Sequence, residues 1–234
     1  MRKLIYATVS RTPVYRQMLC LMVKSLRGRG RYTGDIHIMC NLVDGLEEIA
    51  ELVTFLLVNP QCGVKDERME GLSFIDPSLY DVILNLDCEI LAFNDIAPLF
   101  EDVDGVRYFD EPWGFINQGE QMYDYYFSPE EKRRYAWAHT INAGHFAVSG
   151  RWMIPMYMQW KQTLQSKPHV NIAGSDQAAL NAIIRHGLVP AKPWARGLVR
   201  NGMKDTRESW MRSCVTHFAG LDSKRLAIMQ EMSR

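Results

Sequence analysis

Two acids interrupt a nearly continuous apolar run in this chain, Val82-Ile83-Leu84-Asn85-Leu86-Asp87-Cys88-Glu89-Ile90-Leu91. Asp87 and Glu89 stand two apart, so in extended backbone they point to the same side. Buried charge is costly unless it is paired or metal-bound. Two carboxylates facing one way at the end of a buried strand suit a hard divalent cation held through oxygen. The alternative is an acidic turn whose side chains simply face water.

The elements around that run must hold it in place. Lys3 to Val9 reads as a short buried strand, and Val14 to Leu26 carries Val14, Met18, Leu19, Met22 and Leu26 at helical spacing, stopped by Gly28 and Gly30. Further strands are predicted at Asp35–Cys40, at Val53–Val58 and at Tyr80–Leu86, the last of them central. A helix is expected over 66–74, and a short one over 94–100 with Asn94 as its cap. Val106–Phe109 reads as a strand, 110–137 as irregular, and Thr140–Ser149 as a strand broken at Gly144. Helices are expected at Arg151–Gln165, despite Pro155, and at Asp176–His186 behind a Ser175 cap. Val215–Phe218 is a last strand, with a helix from Ser223. Alternating strand and helix in the first half is the pattern of a parallel α/β sheet. In such sheets ligands bind at the carboxyl ends of the strands, which directs attention to the residues just after Leu86. With no repeat and no linker, the reading is one domain over 1–234.

Lys plus Arg equals Asp plus Glu, 27 each, which argues against a nucleic-acid partner. The cysteines at 20, 40, 62, 88 and 214 have neither zinc-finger nor redox spacing, and read as reduced thiols of a cytoplasmic protein. Met1-Arg2-Lys3 followed by Leu4–Val9 imitates a signal peptide, but the apolar run is too short. No stretch reaches transmembrane length, which leaves peripheral membrane contact open.

The run Leu86-Asp87-Cys88-Glu89-Ile90-Leu91 resembles the "LDxDIL" segment of GT-A-fold glycosyltransferases, in particular the retaining family of glycogenin and bacterial lipopolysaccharide galactosyltransferases. Four more segments agree in order. Leu4-Ile5-Tyr6-Ala7-Thr8 resembles the opening strand that touches the base, and Asn142-Ala143-Gly144 the "NxG" segment. Asp176-Gln177-Ala178-Ala179-Leu180-Asn181 resembles "DQDxLN", and His217-Phe218-Ala219-Gly220 resembles "HFxG". Three features depart from the family: Glu89 stands where Asp is usual, Val9-Ser10 stand where an acid usually follows the opening strand, and Lys224-Arg225-Leu226 replaces the "KPW" ending.

The resemblance implies a GT-A-type α/β fold, a central, mostly parallel mixed sheet flanked by helices. It implies a hexosyltransferase using a nucleoside-diphosphate sugar, a UDP-hexose first, with a saccharide or glycoconjugate acceptor. Asp87, Glu89 and His217 would ligate the metal, and this oxygen and imidazole set suits manganese before magnesium. Ala7, Thr8, Arg68, Asp87, Asn142, Gly144, Gly220 and Lys224 would contact the donor. Asp176 and Gln177 would sit at the sugar, with retention by a front-face route. Each has a plainer alternative: His217 a hydrogen-bonded structural residue, Asp176 a helix-start acid, Arg68 and Lys224 solvated surface cations.

The aromatics Tyr108, Phe109, Trp113, Phe115, Tyr123, Tyr125, Tyr126, Phe127, Tyr135 and Trp137 would form either an acceptor wall or a small core under a loop. The Met and Trp stripe over 152–160 reads as helix packing. Two rivals stand beside this reading. One is a sugar-nucleotide pyrophosphorylase, which would want a Gly-rich loop where Ser10-Arg11-Thr12-Pro13 stands. The other is a non-catalytic scaffold that kept the fold.

Overall fold

The computed structural model describes residues 1–9, 12–58, 72–116, 121–166, 175–202, 204–218 and 224–234. Within them the strands are β1 (Lys3–Thr8), β2 (Asp35–Cys40), β3 (Thr54–Leu57), β4 (Val82–Leu86), β5 (Ile90–Ala92), β6 (Val106–Phe115), β7 (His139–Ser149), β8 (Ala191–Pro193), β9 (Val199–Asn201) and β10 (Val215–His217). The helices are α1 (Pro13–Arg27), α2 (Gln121–Asp124), α3 (Pro129–Arg134), α4 (Gly150–Gln165), α5 (Ser175–Arg185), α6 (Arg207–Met211) and α7 (Arg225–Ser233).

The large sheet runs β3-β2-β1-β4-β7-β6-β8, with β4 at its centre as expected. All neighbours pair in parallel except β7, which is antiparallel to both β4 and β6. Every strand but β7 therefore ends at the same edge of the sheet. One face, carrying Tyr6, Ile83 and Phe146, packs on Met153 and Trp160 of α4 and on Ala179 and Ile183 of α5. Met153, Met156 and Trp160 of the Met and Trp stripe are thus core, while Met158 is 56% exposed. The other face, carrying Ile5, Leu84 and Ala147, packs on Leu19 and Val23 of α1 and on a second sheet, β5-β10-β9. No helix among the described residues is long and apolar enough to cross a membrane.

Several expected elements shift. Strand β6 runs on to Phe115 into the segment read as irregular, because β7 is long enough to pair with it. The expected break at Gly144 takes the form of a bulge. Between Phe146 and Ile141, β7 advances five positions while β6 goes only from Tyr108 to Asp110. The helix expected over 94–100 is a short 3-10 turn, Ala97–Phe100. Its cap-like bond is from Ala97 N to Asp95 Oδ1 at 2.8 Å, while Asn94 instead donates to the Met211 and Ser213 carbonyls. Arg68 and Gly220 lie outside the described residues, as does most of the helix expected over 66–74. Burial pushes the Cys20 thiol up to about 12 and the Cys214 thiol up to about 11, so both stay protonated and inert near neutrality.

Strand β4 pairs with β7 only from His145 onward, so the earlier part of β7 has lost its neighbour on that side. Helix α5 takes the vacant place with amide side chains. Asn181, fully buried, accepts from Ile141 N at 2.8 Å and donates to the Ile141 and Gln177 carbonyls at 2.8 Å each. Replacing Asn181 with the similar-sized Leu leaves these backbone groups unsatisfied, so about 2–4 kcal/mol of stability should be lost. A urea midpoint shift at unchanged slope would report it.

Candidate functional site

The geometry begins where β4 ends. Asp87 comes directly after Leu86, and its backbone N–H donates to Gly144 O at 2.7 Å, tying it to the bulge in β7. The chain turns and re-enters as β5. Strand β10 pairs antiparallel with β5, His217 opposite Ile90, and Phe218 N donates to Glu89 O at 2.9 Å. The small sheet is thus the device that carries His217, 130 positions beyond Asp87 in the chain, to the acids.

His217 Nε2 lies 3.8 Å from Asp87 Oδ2 and 3.6 Å from Glu89 Oε2. The three side chains offer ligand atoms that all lie within 4.8 Å of one another. Metal–ligand bonds of about 2.1 Å set ligand–ligand separations of roughly 3–4 Å, so the set fits a divalent cation with little adjustment. His217 and Glu89 are buried and Asp87 is half-buried.

Gly144 completes the geometry. A Cβ on it would stand 2.4 Å from Asp87 Oδ2, 2.8 Å from Asn142 Oδ1 and 2.8 Å from His217 Cε1. Only a residue without a side chain fits there. Asn142 Oδ1 accepts from Gly144 N at 2.7 Å, which places its amide beside the acids. The register of β1 on β4 sets Tyr6 opposite Asn85. Continued two residues, it brings Thr8 level with Asp87. Ala7 and Thr8 are both buried, and the Ala7 side chain belongs to the core.

Asp176 and Gln177 open α5. Gln177 Oε1 accepts from Ala143 N at 3.3 Å and its Nε2 donates to the Tyr123 hydroxyl at 3.4 Å, which fixes it against the same bulge. Asp176 is partly exposed in the first turn. Burial first, and its carboxylate second, push the Tyr126 phenol upward. Lys224 is exposed at the start of α7. Among the described residues the cation that reaches the acids is its neighbour Arg225, whose guanidinium donates to Glu89 Oε1.

Three contributors carry no clear signal in the sequence. Arg225 is one. His145 is another: its buried ring meets the His217 ring edge-on at 5.0 Å and lies nearly parallel to the Trp194 ring at 6.5 Å, forming a wall behind the imidazole. The third is Glu111, a buried carboxylate on β6. It accepts from Thr140 Oγ1 and from Asn142 Nδ2, both at 2.8 Å, and so sets which way the Asn142 amide points. The one hint of it is an acid inside an apolar stretch, hidden because 110–137 reads as a loop. Glu111→Gln can keep both bonds, donating to Thr140 and accepting from Asn142, and should change stability by less than about 1 kcal/mol. Glu111→Ala orphans two buried donors and should cost about 1–3 kcal/mol. Thermal melts of the two variants separate the cases.

The aromatic segment divides. Tyr108, Tyr123, Tyr126 and Phe127 are core, packed against α4 and α5. Phe109 instead joins Trp194, Asp110, His139, Arg196 and Arg200 around a cleft of about 450 Å³. Trp137 is 88% exposed, edge-on to Phe115 at 6.4 Å. The Trp113 side chain lies outside the described residues.

The mostly parallel central sheet flanked by helices is of the GT-A type, the fold that the resemblance implied. Among solved structures the chain is similar to the galactosyltransferase LgtC in complex with donor and acceptor sugar analogs. That likeness has a TM-score of 0.66 at 14% identity over 99% of this chain and 95% of that one. It is also similar to an active-site glutamine-to-glutamate mutant of LgtC, with a TM-score of 0.64 at 14% identity over 98% of this chain and 95% of that one. No family model matches the sequence, and no curated protein sequence matches it. At this identity the likeness shows the fold alone.

Proposed function

We propose that the chain is a metal-dependent hexosyltransferase. It takes the sugar of a nucleoside-diphosphate hexose, UDP-hexose first, and transfers it with retention to a hydroxyl of a saccharide or glycoconjugate. One observation carries this: Asp87, Glu89 and His217 converge at the carboxyl edge of the sheet within 4.8 Å. A likeness to LgtC, solved with donor and acceptor sugar analogs, supports the same substrate classes.

In the reaction the bond from the anomeric carbon to the diphosphate breaks and a bond to the acceptor oxygen forms. The acceptor proton leaves on the departing diphosphate. A bound divalent cation, manganese before magnesium, supplies Lewis-acid stabilisation of the charge that builds on the phosphate oxygens. Asp87, Glu89 and His217 are the residues that hold it. Asn142, oriented by Glu111 and Gly144 N, and Asp176 supply the amide and carboxylate that orient sugar hydroxyls. Gln177 is a poor nucleophile, and its bonds to Ala143 N and Tyr123 suit positioning. The cleft lined by Phe109, Asp110 and Trp194 lies beside the middle of β6 and just beyond the carboxyl end of β8. Aromatic faces beside polar groups suit an acceptor sugar there.

The second reading is a nucleotide-sugar-binding scaffold without turnover. The observation in its favour is the Arg225 ion pair, which engages one oxygen of Glu89. Hydrolysis of a panel of nucleotide sugars, with and without manganese, separates the two. Manganese-dependent release of sugar from one of them is the expected result. Binding without release favours the scaffold, and neither binding nor release removes both.

A further inference from the structure

Glu89 divides its two oxygens. Oε1 accepts from the Arg225 guanidinium, with side-chain exposures of 19% for Arg225 and 11% for Glu89. Oε2 faces His217 Nε2 at 3.6 Å. Arg225 is held from outside by Tyr15 of α1, whose ring centre lies 5.7 Å from its guanidinium carbon. Helix α7 itself is anchored, since Met229 and Met232 pack with Met18 of α1 and with Phe218. The guanidinium therefore reaches the acids from a supported position.

We propose that Arg225 and Glu89 act as one unit that links cation binding to diphosphate binding, an inference that rests on the metal-and-diphosphate function proposed for this site. Two carboxylates and a neutral imidazole carry a charge of −2, which a divalent cation only cancels. Arg225 raises the loaded site to a net +1, and a diphosphate then meets positive charge from the guanidinium as well as from the ion. Before loading, the guanidinium is the counter-charge that lets two acids stand close together in a largely buried place. The extra methylene of Glu over Asp suits this arrangement, because the carboxylate at 89 must reach Arg225 and His217 at once. One guanidinium nitrogen, Nη1, bonds Oε1 of Glu89, while Oε2 faces His217.

The test separates the two bindings. Free manganese is titrated into the wild-type chain and Arg225→Ala by electron paramagnetic resonance, without nucleotide. UDP is then titrated calorimetrically at saturating manganese. Removing a competing positive charge should leave manganese binding as tight as in wild type or tighter, while UDP binding falls roughly 10- to 100-fold, the worth of a charge-assisted hydrogen bond. Arg225→Lys, which keeps the charge and loses the fork, should fall between the two and serves alone should the alanine variant not fold by circular dichroism. The proposal is overturned when a folded variant binds UDP as wild type does. It is equally overturned when manganese and UDP binding are lost together, since Arg225 would then be only a prop for Glu89. A wild-type chain that binds no manganese removes the underlying metal reading instead, and this inference with it.

Discussion

Asp87→Ala should bring manganese-dependent turnover of a nucleotide-sugar donor down by at least about 100-fold while the chain stays folded. The magnitude comes from the group the residue supplies. Altering groups that merely support metal ligands typically costs 10- to 100-fold in affinity or activity, and Asp87 is proposed as a ligand itself. Its carboxylate is one of only two in the cluster, and Oδ2 faces the His217 imidazole at 3.8 Å. The fold does not depend on it to the same degree. The tie between position 87 and the bulge is its backbone N–H, donated to Gly144 O, and alanine keeps that bond. The side chain is half-buried at the rim of the sheet. A melting temperature within a few degrees of wild type, alongside the lost turnover, is the expected pair of results. Undiminished donor turnover in Asp87→Ala would remove the acids from the site.

The parts of the fold that read clearly from the sequence are those governed by local patterning. Val82–Leu86 is apolar but for Asn85, and it becomes the central strand. The helical spacing of Met18, Leu19, Met22 and Leu26 becomes the buried face of α1. The acid pair stands out because two charges inside an apolar run need a reason. The features that do not read clearly depend on contacts distant in sequence. The strand at Val215–Phe218 is legible, but its pairing with β5 and β9, which sets His217 beside Glu89, is not. Glu111 and Thr140 face each other through a strand pairing whose register shifts twice, so no periodicity announces them. Arg225 reads in the sequence only as part of the three residues standing in for a missing motif. Its importance rests on α7 docking against α1, which hydrophobic spacing does not reveal in a helix this short.

Gly144→Ala should weaken manganese binding by about 10- to 100-fold, although it leaves every charged and imidazole group of the site in the chain. The reason is space rather than backbone conformation, since Gly144 is not among the glycines with positive φ. A methyl at this position would meet Asp87 Oδ2 at 2.4 Å and His217 Cε1 at 2.8 Å, and both atoms belong to proposed ligand side chains. It would also meet Asn142 Oδ1 at 2.8 Å, an atom already bonded to Gly144 N. Two of the three cannot retreat freely. His217 has the His145 ring edge-on at 5.0 Å, and Asn142 is held from the other end by Glu111. Asp87 is the most exposed of them, so the strain is relieved chiefly by swinging its carboxylate away from the imidazole. The cluster then opens while the sheet persists. Overpacking of this kind costs about 1–3 kcal/mol, which for a chain of this size lowers the melting temperature by roughly 2–12 °C. Manganese titration and a thermal melt on the same sample distinguish the outcomes. A variant that melts earlier but binds manganese like wild type would show that Asp87 and His217 do not share an ion. Weakened binding with a modest shift in melting would tie the missing side chain at position 144 directly to the cation.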